Sequence, residues 1–240
     1  MDKNPSFIPP PSKASYDAYT TIDYLTYSIS GKKEAELLSG FIDEFSNGNK
    51  IFDFGCGSAR ILRFMDPKKY DLTGSDYNNE AIKWSSVNFP LIKFIHNELM
   101  PPIDIRSSTF NFVFAISVFT HLSDEAQFQW LTELERITTD NGCILITLHG
   151  NRHSGKLTME ELKRFHTGRS VVRGHVKEGS RIFTSYHSEQ YAREIFFKGK
   201  EIIHFTDNPL HPEFSQDVYI LRVRKQNDCN DADLKSKIDI

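Results

Sequence analysis

The chain has 240 residues, with 29 basic and 32 acidic side chains and a net charge of −3. This length is typical of one domain with a sizeable core, and the absence of a basic surplus argues against a nucleic-acid partner. No run of about 18 apolar residues is present and the N-terminal residues are polar, so we expect neither a membrane span nor a signal peptide.

The cysteines also bear on the compartment. Cys56, Cys143 and Cys229 are odd in number, lie far apart and form no C-x-x-C pair. Such a distribution is typical of a reducing environment rather than of a disulfide framework. We therefore expect a cytoplasmic protein.

Residues 1–49 are predicted to form an N-terminal helical cap. Residues 1–15 are rich in Pro, Ser and Lys and are expected to be irregular, whereas residues 16–28 carry four tyrosines and are expected to be helical. A helix is predicted over 32–45, because its apolar side chains recur at helical spacing.

The rest of the chain alternates between predicted strands and helices. Parallel strands are expected near 50–54, 70–75, 91–96, 110–117 and 143–148, followed by two last strands at 200–206 and 216–224. An amphipathic helix is expected to begin after Ser123 and to be stopped by Asn141-Gly142. Residues 226–240 are polar and are predicted to be a tail.

A glycine turn follows the first predicted strand. The run from Asp53 to Arg60 is Asp-Phe-Gly-Cys-Gly-Ser-Ala-Arg, and Ile61–Met65 is expected to begin a helix. Glycines at positions 55 and 57 allow a ligand to approach the backbone, and the free N–H groups of a helix start can face that ligand.

An acid at the end of the second strand indicates a nucleoside cofactor. Asp76 lies 19 residues beyond Gly57, a distance at which a carboxylate can accept both hydroxyls of a ribose. A dinucleotide site needs a third glycine where Arg60 stands, and Asp53 would repel a pyrophosphate. The spacing therefore favours a cationic ligand without phosphate.

These motifs resemble those of the class I S-adenosylmethionine-dependent methyltransferases, in particular the bacterial type 11, 12 and 25 groups. The likeness rests on the glycine turn, on Asp76, on Phe94–Pro102, on Ser-Val-Phe-Thr-His-Leu at 117–122, and on the closing strand from Gln216. The resemblance implies a Rossmann-like α/β fold with a mostly parallel seven-stranded sheet, an antiparallel last strand and helices on both faces. It also implies a core over 50–225 and S-adenosyl-L-methionine as the cofactor.

The same resemblance assigns roles to individual residues. Gly55 and Gly57 would admit the methionine portion, Asp53 would attract the ammonium group and Asp76 would hold the ribose. Tyr77 would pack on adenine, and Asn97 and Glu98 would flank its edge. Ser117 would line the path of the methyl group. Many relatives carry Asp where this chain has Asn97 and Asn111.

The acceptor side is expected in residues 149–185, an insertion rich in Arg and His between the fifth strand and the last pair. It should cover the cofactor, since ligands bind beyond the carboxyl ends of the strands. His149 and His121 are the candidate catalytic residues; we prefer His149 as the general base and assign His121 a supporting role. A metal held by these histidines and His153 has poor ligand geometry, so no metal is predicted.

The sequence leaves other functions open. A nicotinamide oxidoreductase is disfavoured by Arg60 and Asp53, and a non-catalytic module that only binds the cofactor would keep the same turn. A nucleobase methyltransferase usually has an Asn/Asp-Pro-Pro-aromatic loop after strand four, where this chain has Ser-Val-Phe-Thr at 117–120. A small-molecule acceptor, such as a sugar or a sugar-bearing natural product, is the expectation. The sequence indicates neither the methylated atom nor the oligomeric state.

Overall fold

The computed structural model describes residues 8–13, 16, 23–207 and 216–225. Within these ranges the main helices are α1 (Tyr24–Phe45), α2 (Asn79–Asn88), α3 (Asp124–Ile137) and α4 (Met159–His166), followed by a short α5 (Glu189–Tyr191) that continues as a π-helical turn, Ala192–Phe196. The strands are β1 (Lys50–Phe54), β2 (Asp71–Asp76), β3 (Lys93–His96), β4 (Phe110–Ala115), β5 (Thr138–Leu148), β6 (Val171–Arg173), β7 (Thr184–Tyr186), β8 (Glu201–Thr206) and β9 (Asp217–Arg222). Residues 226–240, predicted to be a tail, lie outside the described residues.

Seven of these strands form one sheet in the order β3-β2-β1-β4-β5-β9-β8. The first five run parallel, and β9 is antiparallel to both of its neighbours. The predicted mostly parallel sheet with an antiparallel last strand is therefore confirmed. The strand order reverses between β1 and β4, and in such sheets ligands bind at the carboxyl ends beside that reversal.

Apolar side chains pack on both faces of the sheet. Alternate residues of β1 point to opposite sides: Phe52 joins a cluster with Trp130 of α3, and Ile51 joins a cluster with Leu38 of α1. Both faces are covered because a parallel sheet buries both of its surfaces. This arrangement leaves the strand ends as the exposed edge of the layer.

Helix α1 is longer than the sequence pattern predicted. It begins at Tyr24, where the Asp23 side chain accepts hydrogen bonds from two backbone N–H groups, and it contains the predicted 32–45 helix. Gly31 lies against the glycine turn: a Cβ there would be 2.3 Å from the carbonyl oxygen of Arg60. Residues 17–22 of the predicted tyrosine-rich helix lie outside the described residues.

Two local expectations are wrong. The glycine turn is not followed by an α-helix: residues 57–61 form turns that lead into a 3₁₀ turn, Leu62–Phe64. α1 packs directly on this segment through Gly31, and Pro67 disfavours a helical conformation at Asp66.

The second error concerns the end of α3. The helix ends at Ile137 and Thr138 already begins β5, with its hydroxyl donating to the carbonyl of Leu134 over 2.6 Å. Asn141-Gly142 lies inside β5, beside a register shift against β4, and Asn141 has a φ of 58°. The residues that were expected to stop the helix therefore form an irregularity within the strand.

The insertion between β5 and α5 has secondary structure of its own. A 3₁₀ turn, Asn151–Lys156, precedes α4, whose start carries a reciprocal capping pair between Thr158 and Glu161. β6 and β7 then form an antiparallel pair. No helix in the described part of the chain has the length and apolarity needed to cross a membrane.

Candidate active site

A cavity of about 340 Å³ lies at the carboxyl ends of β1, β2 and β4. The predicted site residues that line it are Gly55, Gly57, Asp76, Tyr77, Asn97, Ser117 and His121. Three other predicted residues, Asp53, Glu98 and His149, are not part of the lining. The structure thus brings together residues from 55 to 121 and adds further groups from the insertion.

The glycine turn forms the floor of the cavity. Gly55 and Gly57 have φ values of 84° and 53°, a region that side-chain-bearing residues rarely adopt. A Cβ on Gly55 would stand 2.3 Å from a methyl carbon of Val118, and one on Gly57 would enter open space. The first glycine is therefore required for packing against the loop after β4, and the second for its backbone conformation.

Asp76 is fixed by the glycine turn on one side and by its own loop on the other. Its Oδ2 accepts from the N–H of Gly57 and its Oδ1 from the N–H of Asn78, each over 2.8 Å. The side chain is 9% exposed and faces the cavity. Each carboxylate oxygen can accept a further hydrogen bond, so the group is oriented and still able to bind hydroxyls.

Two buried polar atoms in the lining have no hydrogen-bond partner among the described residues. They are Oδ1 of Asn97 and Oγ of Ser58. The amide nitrogen of Asn97 is already used, because it donates to the carbonyl of Glu98 over 2.7 Å. A buried acceptor left unpaired costs free energy, so these atoms are suited to a ligand that supplies the missing bonds.

Asn97 sits beside an apolar wall. Leu99 and Trp130 both line the cavity, and the indole N–H of Trp130 donates to the carbonyl of Leu99 over 2.8 Å. The unpaired amide oxygen of Asn97 therefore stands next to apolar side chains in the lining. The exposed side chain of Glu98 contributes only its backbone carbonyl to this arrangement.

Charged residues lie beneath the glycine turn. Arg60 makes two hydrogen bonds to the carboxylate of Glu34, at 2.7 and 2.6 Å, and this carboxylate is almost fully buried. Asp53 is 3% exposed; burial raises its pKa well above the usual range, and the nearby Arg60 guanidinium opposes that shift. Asp53 therefore lies behind the cavity wall, in surroundings that favour its neutral form.

Ser117 lies in a left-handed conformation at the tip of β4, with a φ of 59°. Its N–H donates to the hydroxyl of Thr147 over 2.8 Å, and its own hydroxyl donates to Oε1 of Gln216 over 3.2 Å. The hydroxyl of Thr147 donates to the same Gln216 oxygen over 2.6 Å. Residues from β4, β5 and the start of β9 thus hold the loop that borders the cavity.

His121 follows this loop and is oriented by the insertion. Its Nδ1 donates to the carbonyl of Phe183 over 2.7 Å, which leaves Nε2 as the unprotonated acceptor. Burial lowers the pKa of His121, and Arg181 lowers it further despite the Phe183 bond. The ring is therefore neutral near pH 7 and available as a hydrogen-bond acceptor.

His149, the preferred base in the sequence analysis, lies among other aromatic rings outside the cavity lining. Its Nδ1 donates to the carbonyl of Ser185 over 3.1 Å, and its ring centroid is 4.3 Å from that of His153. Burial, together with His153 and His121, lowers the pKa of His149 to about 2. In the described ranges no group of three or more His, Cys, Asp or Glu side chains is arranged to hold a metal ion.

The insertion forms the outer wall. Gly179, Ser180 and Arg181 line the cavity, and the hydroxyl of Tyr77 donates to the carbonyl of Gly179 over 2.9 Å. The N–H of Gly179 donates to the carbonyl of His121 over 3.0 Å. The tip of β2 and the loop after β4 are thereby both joined to the insertion.

Several lining residues were not predicted. Ser58 belongs to the glycine turn and Trp130 to the predicted amphipathic helix, but no pattern distinguishes a position in the cavity wall from turn formation and core packing. Tyr27 and Arg181 reach the cavity from α1 and from the insertion. Basic composition singled out residues 149–185 as a whole, without indicating Arg181.

The segment that forms most of this cavity matches a known protein family. Residues 51–142 match the sequence profile of a family described as "Methyltransferase domain". This segment is a methyltransferase domain, and the seven-stranded sheet has the class I methyltransferase fold. The match covers β1 to the start of β5, which includes the glycine turn, Asp76 and Ser117. The prediction of a methyltransferase domain of this class, with S-adenosyl-L-methionine as the cofactor, is confirmed.

Solved structures show the same fold at low identity. A S-adenosylmethionine-dependent methyltransferase of Methanosarcina mazei is 19% identical, with a TM-score of 0.58 over 78% of this chain and 98% of the other. The 1,6-didemethyltoxoflavin-N1-methyltransferase of Burkholderia thailandensis, solved with its acceptor and S-adenosylhomocysteine, is 12% identical, with a TM-score of 0.60 over 89% and 85%. A glycopeptide N-methyltransferase bound to S-adenosylmethionine is 10% identical, with a TM-score of 0.56 over 82% and 88%. The sequence matches no curated protein.

Proposed function

We propose that this methyltransferase transfers a methyl group from S-adenosylmethionine to a small-molecule acceptor, such as a sugar or a sugar-bearing natural product. The observation that carries the proposal is a single cavity that joins an oriented carboxylate, an unpaired buried amide oxygen and a neutral imidazole, from Asp76, Asn97 and His121. Two structural neighbours are named as methyltransferases of 1,6-didemethyltoxoflavin and of a glycopeptide.

The cofactor-side residues each have a chemical task in this proposal. Asp76 accepts the ribose hydroxyls, and Oδ1 of Asn97 accepts from the exocyclic amine of adenine. The glycine turn around Gly55 and Gly57 admits the methionine portion to the backbone, and Ser117 borders the path of the methyl group. Charge-assisted hydrogen bonds such as those of Asp76 contribute roughly 1.5–3 kcal/mol each.

Three other predicted residues act less directly. Tyr77 borders the adenine side and ties it to the insertion through Gly179. Glu98 contributes backbone rather than its exposed side chain. Asp53 lies behind the wall and outside the lining; burial favours its neutral form, so it would attract the ammonium group only if the positive charge of the cofactor favours its ionised form. Residues 149–185 cover the acceptor side.

The cofactor supplies a methyl group that is already activated by its sulfonium. The chain must align a nucleophile with it, exclude water and, for a hydroxyl or ammonium acceptor, remove a proton. Nε2 of His121 is placed for the proton, because Nδ1 is held by Phe183 and the ring is neutral. His149, with a pKa of about 2 and no place in the lining, is too weak a base for this role.

The donor site is tested first by calorimetric titration with S-adenosylhomocysteine. We expect saturable binding by the wild type and a tenfold or greater loss in Asp76→Ala, since about 1.4 kcal/mol corresponds to tenfold. Asp71→Ala, at the exposed beginning of the same strand, is the matched control and should bind normally. Unchanged affinity in a folded Asp76→Ala protein would remove Asp76 from the site.

The base is tested by the pH dependence of methyl transfer. Transfer requires neutral His121, whose pKa lies below its ordinary value of 6.5, so kcat/KM should fall only when the pH drops below 6.5. His121→Gln should lower kcat and remove this acidic limb, while S-adenosylhomocysteine binding changes little. An acidic limb that persists in His121→Gln would assign the proton to another group.

A further inference from the structure

Arg181 stands apart from the other charged residues in the cavity wall. One of its terminal nitrogens donates to the backbone carbonyl of Tyr16 over 3.0 Å. No carboxylate among the described residues forms an ion pair with it, whereas Arg60 in the same lining is paired with Glu34. A guanidinium has five N–H donors, so most of the hydrogen-bonding capacity of Arg181 remains available.

The balance of charge in the cavity is positive on the acceptor side. The charged lining residues are Asp76, Arg60 and Arg181, and His121 is neutral. Asp76 is committed to the ribose in the proposed function, and Glu34 offsets Arg60. The bound cofactor would add a sulfonium and an ammonium against one carboxylate, which is a further positive charge. Neither Arg181 nor the sulfonium then has a counter-ion.

Arg181 lies close in the chain to the residues that contact His121, the proposed base. It lies two residues from Phe183, whose carbonyl orients His121, and two residues from Gly179, whose N–H donates to the carbonyl of His121. The guanidinium is close enough to His121 to act on its charge state. A ligand group held by Arg181 would therefore stand beside the proposed base.

We propose that the acceptor is an anion, carrying a carboxylate or phosphate that Arg181 binds while His121 faces the methylated atom. This inference rests on the proposed function and narrows its substrate class to acids. Arg and these anions form bidentate, charge-assisted hydrogen bonds, which are both strong and directional. The anion also supplies the counter-charge that the cofactor and Arg181 together require.

Binding to the wild-type protein saturated with S-adenosylhomocysteine tests the substrate class. The probes are matched pairs: 4-hydroxybenzoate with 4-hydroxybenzamide, salicylate with salicylamide, glucuronate with glucuronamide, and glucose 6-phosphate with glucose. At least one acid should bind saturably, and at least tenfold more tightly than its neutral partner. If no acid binds in preference to its partner, the proposal is overturned.

Variants test the residue. Arg181→Gln should remove the preference for acids, a loss of roughly tenfold to hundredfold in acid affinity. Arg181→Lys keeps the positive charge and should retain part of the preference for acids. Arg169→Gln, an exposed cation of the same insertion outside the cavity, should behave as wild type. A preference that survives in Arg181→Gln overturns the role of Arg181.

The carboxylate of the cofactor itself is the other anion that could reach Arg181. Titration of Arg181→Gln with S-adenosylhomocysteine and with methylthioadenosine, which lacks the amino-acid portion, separates the two. We expect both to bind as they do to the wild type. Selective loss of S-adenosylhomocysteine would assign Arg181 to the cofactor and overturn the proposal. Failure of the proposed function would appear separately, as no binding of S-adenosylhomocysteine to the wild type.

Discussion

The two sides of the cavity are constructed differently. On the proposed cofactor side, β1 and β2 end in a glycine turn and a carboxylate that are joined directly: the N–H of Gly57 donates to the Asp76 carboxylate, and the N–H of Gly55 donates to the carbonyl of Ser75. On the acceptor side, contacts link residues far apart in the chain, such as His121 with Phe183. The first side depends on local backbone geometry, and the second on the docking of an insertion.

Acid should affect the acceptor side most. Burial lowers the pKa of His149 to about 2 and of His187 to about 3, so both rings stay neutral in the fold and become charged in the unfolded chain below pH 6.5. Stability is therefore present above pH 6.5 and lost as the pH falls. Each group contributes up to about 1.4 kcal/mol per pH unit, or roughly 4 kcal/mol for both at pH 5. Urea unfolding at pH 7, 6 and 5 measures this loss.

A variant sharpens this prediction. Neither ring nitrogen of His187 has a hydrogen-bond partner among the described residues, and the ring packs near Tyr191 and Phe196. His187→Phe should therefore fold at pH 7 and lose about half of the pH dependence. Exposed His166→Gln should leave it unchanged. The same slope in His187→Phe as in the wild type would show that the loss originates elsewhere.

The cofactor side should be intolerant of small changes in its backbone. Gly55→Ala places a Cβ 2.3 Å from Val118 at a φ of 84°, and strain of this kind costs about 1–3 kcal/mol. We expect lower thermal stability and weaker binding of S-adenosylhomocysteine. Gly40→Ala, in open space on α1, should instead stabilise the protein by about 0.5–1 kcal/mol. A Gly55→Ala protein with normal stability and affinity would contradict the packing argument.

The smallest effect concerns the link between the two sides. Tyr77→Phe removes the hydroxyl that donates to Gly179, and a hydrogen bond of this type contributes about 0.5–1.5 kcal/mol. Amide hydrogen exchange should become faster around residues 177–182, with at most about a tenfold loss in cofactor affinity. Tyr24→Phe is the control for loss of a hydroxyl with no hydrogen bond to the described residues. Unchanged exchange in Tyr77→Phe would mean that the insertion is held without this bond.

The accuracy of the sequence-based expectations follows the same division. The strand positions and the meeting of Gly57 with Asp76 could be predicted, because parallel strands align their carboxyl ends and glycine marks a special conformation. The helix expected after the glycine turn was wrong: the segment is short, packs on α1 through Gly31 and is followed by Pro67. Asn141-Gly142 was misjudged because the same residue types serve helix ends and strand irregularities.

The sequence by itself determined the class of the fold, the glycine turn and the carboxylate that faces it, since these depend on residue types at fixed spacing. Only the tertiary structure decided which histidine borders the cavity and which arginine remains without an acidic partner among the described residues. Burial and hydrogen-bond direction set the charge state of an imidazole, and both depend on segments that the fold brings together. The choice between His121 and His149 was therefore not contained in their positions along the chain.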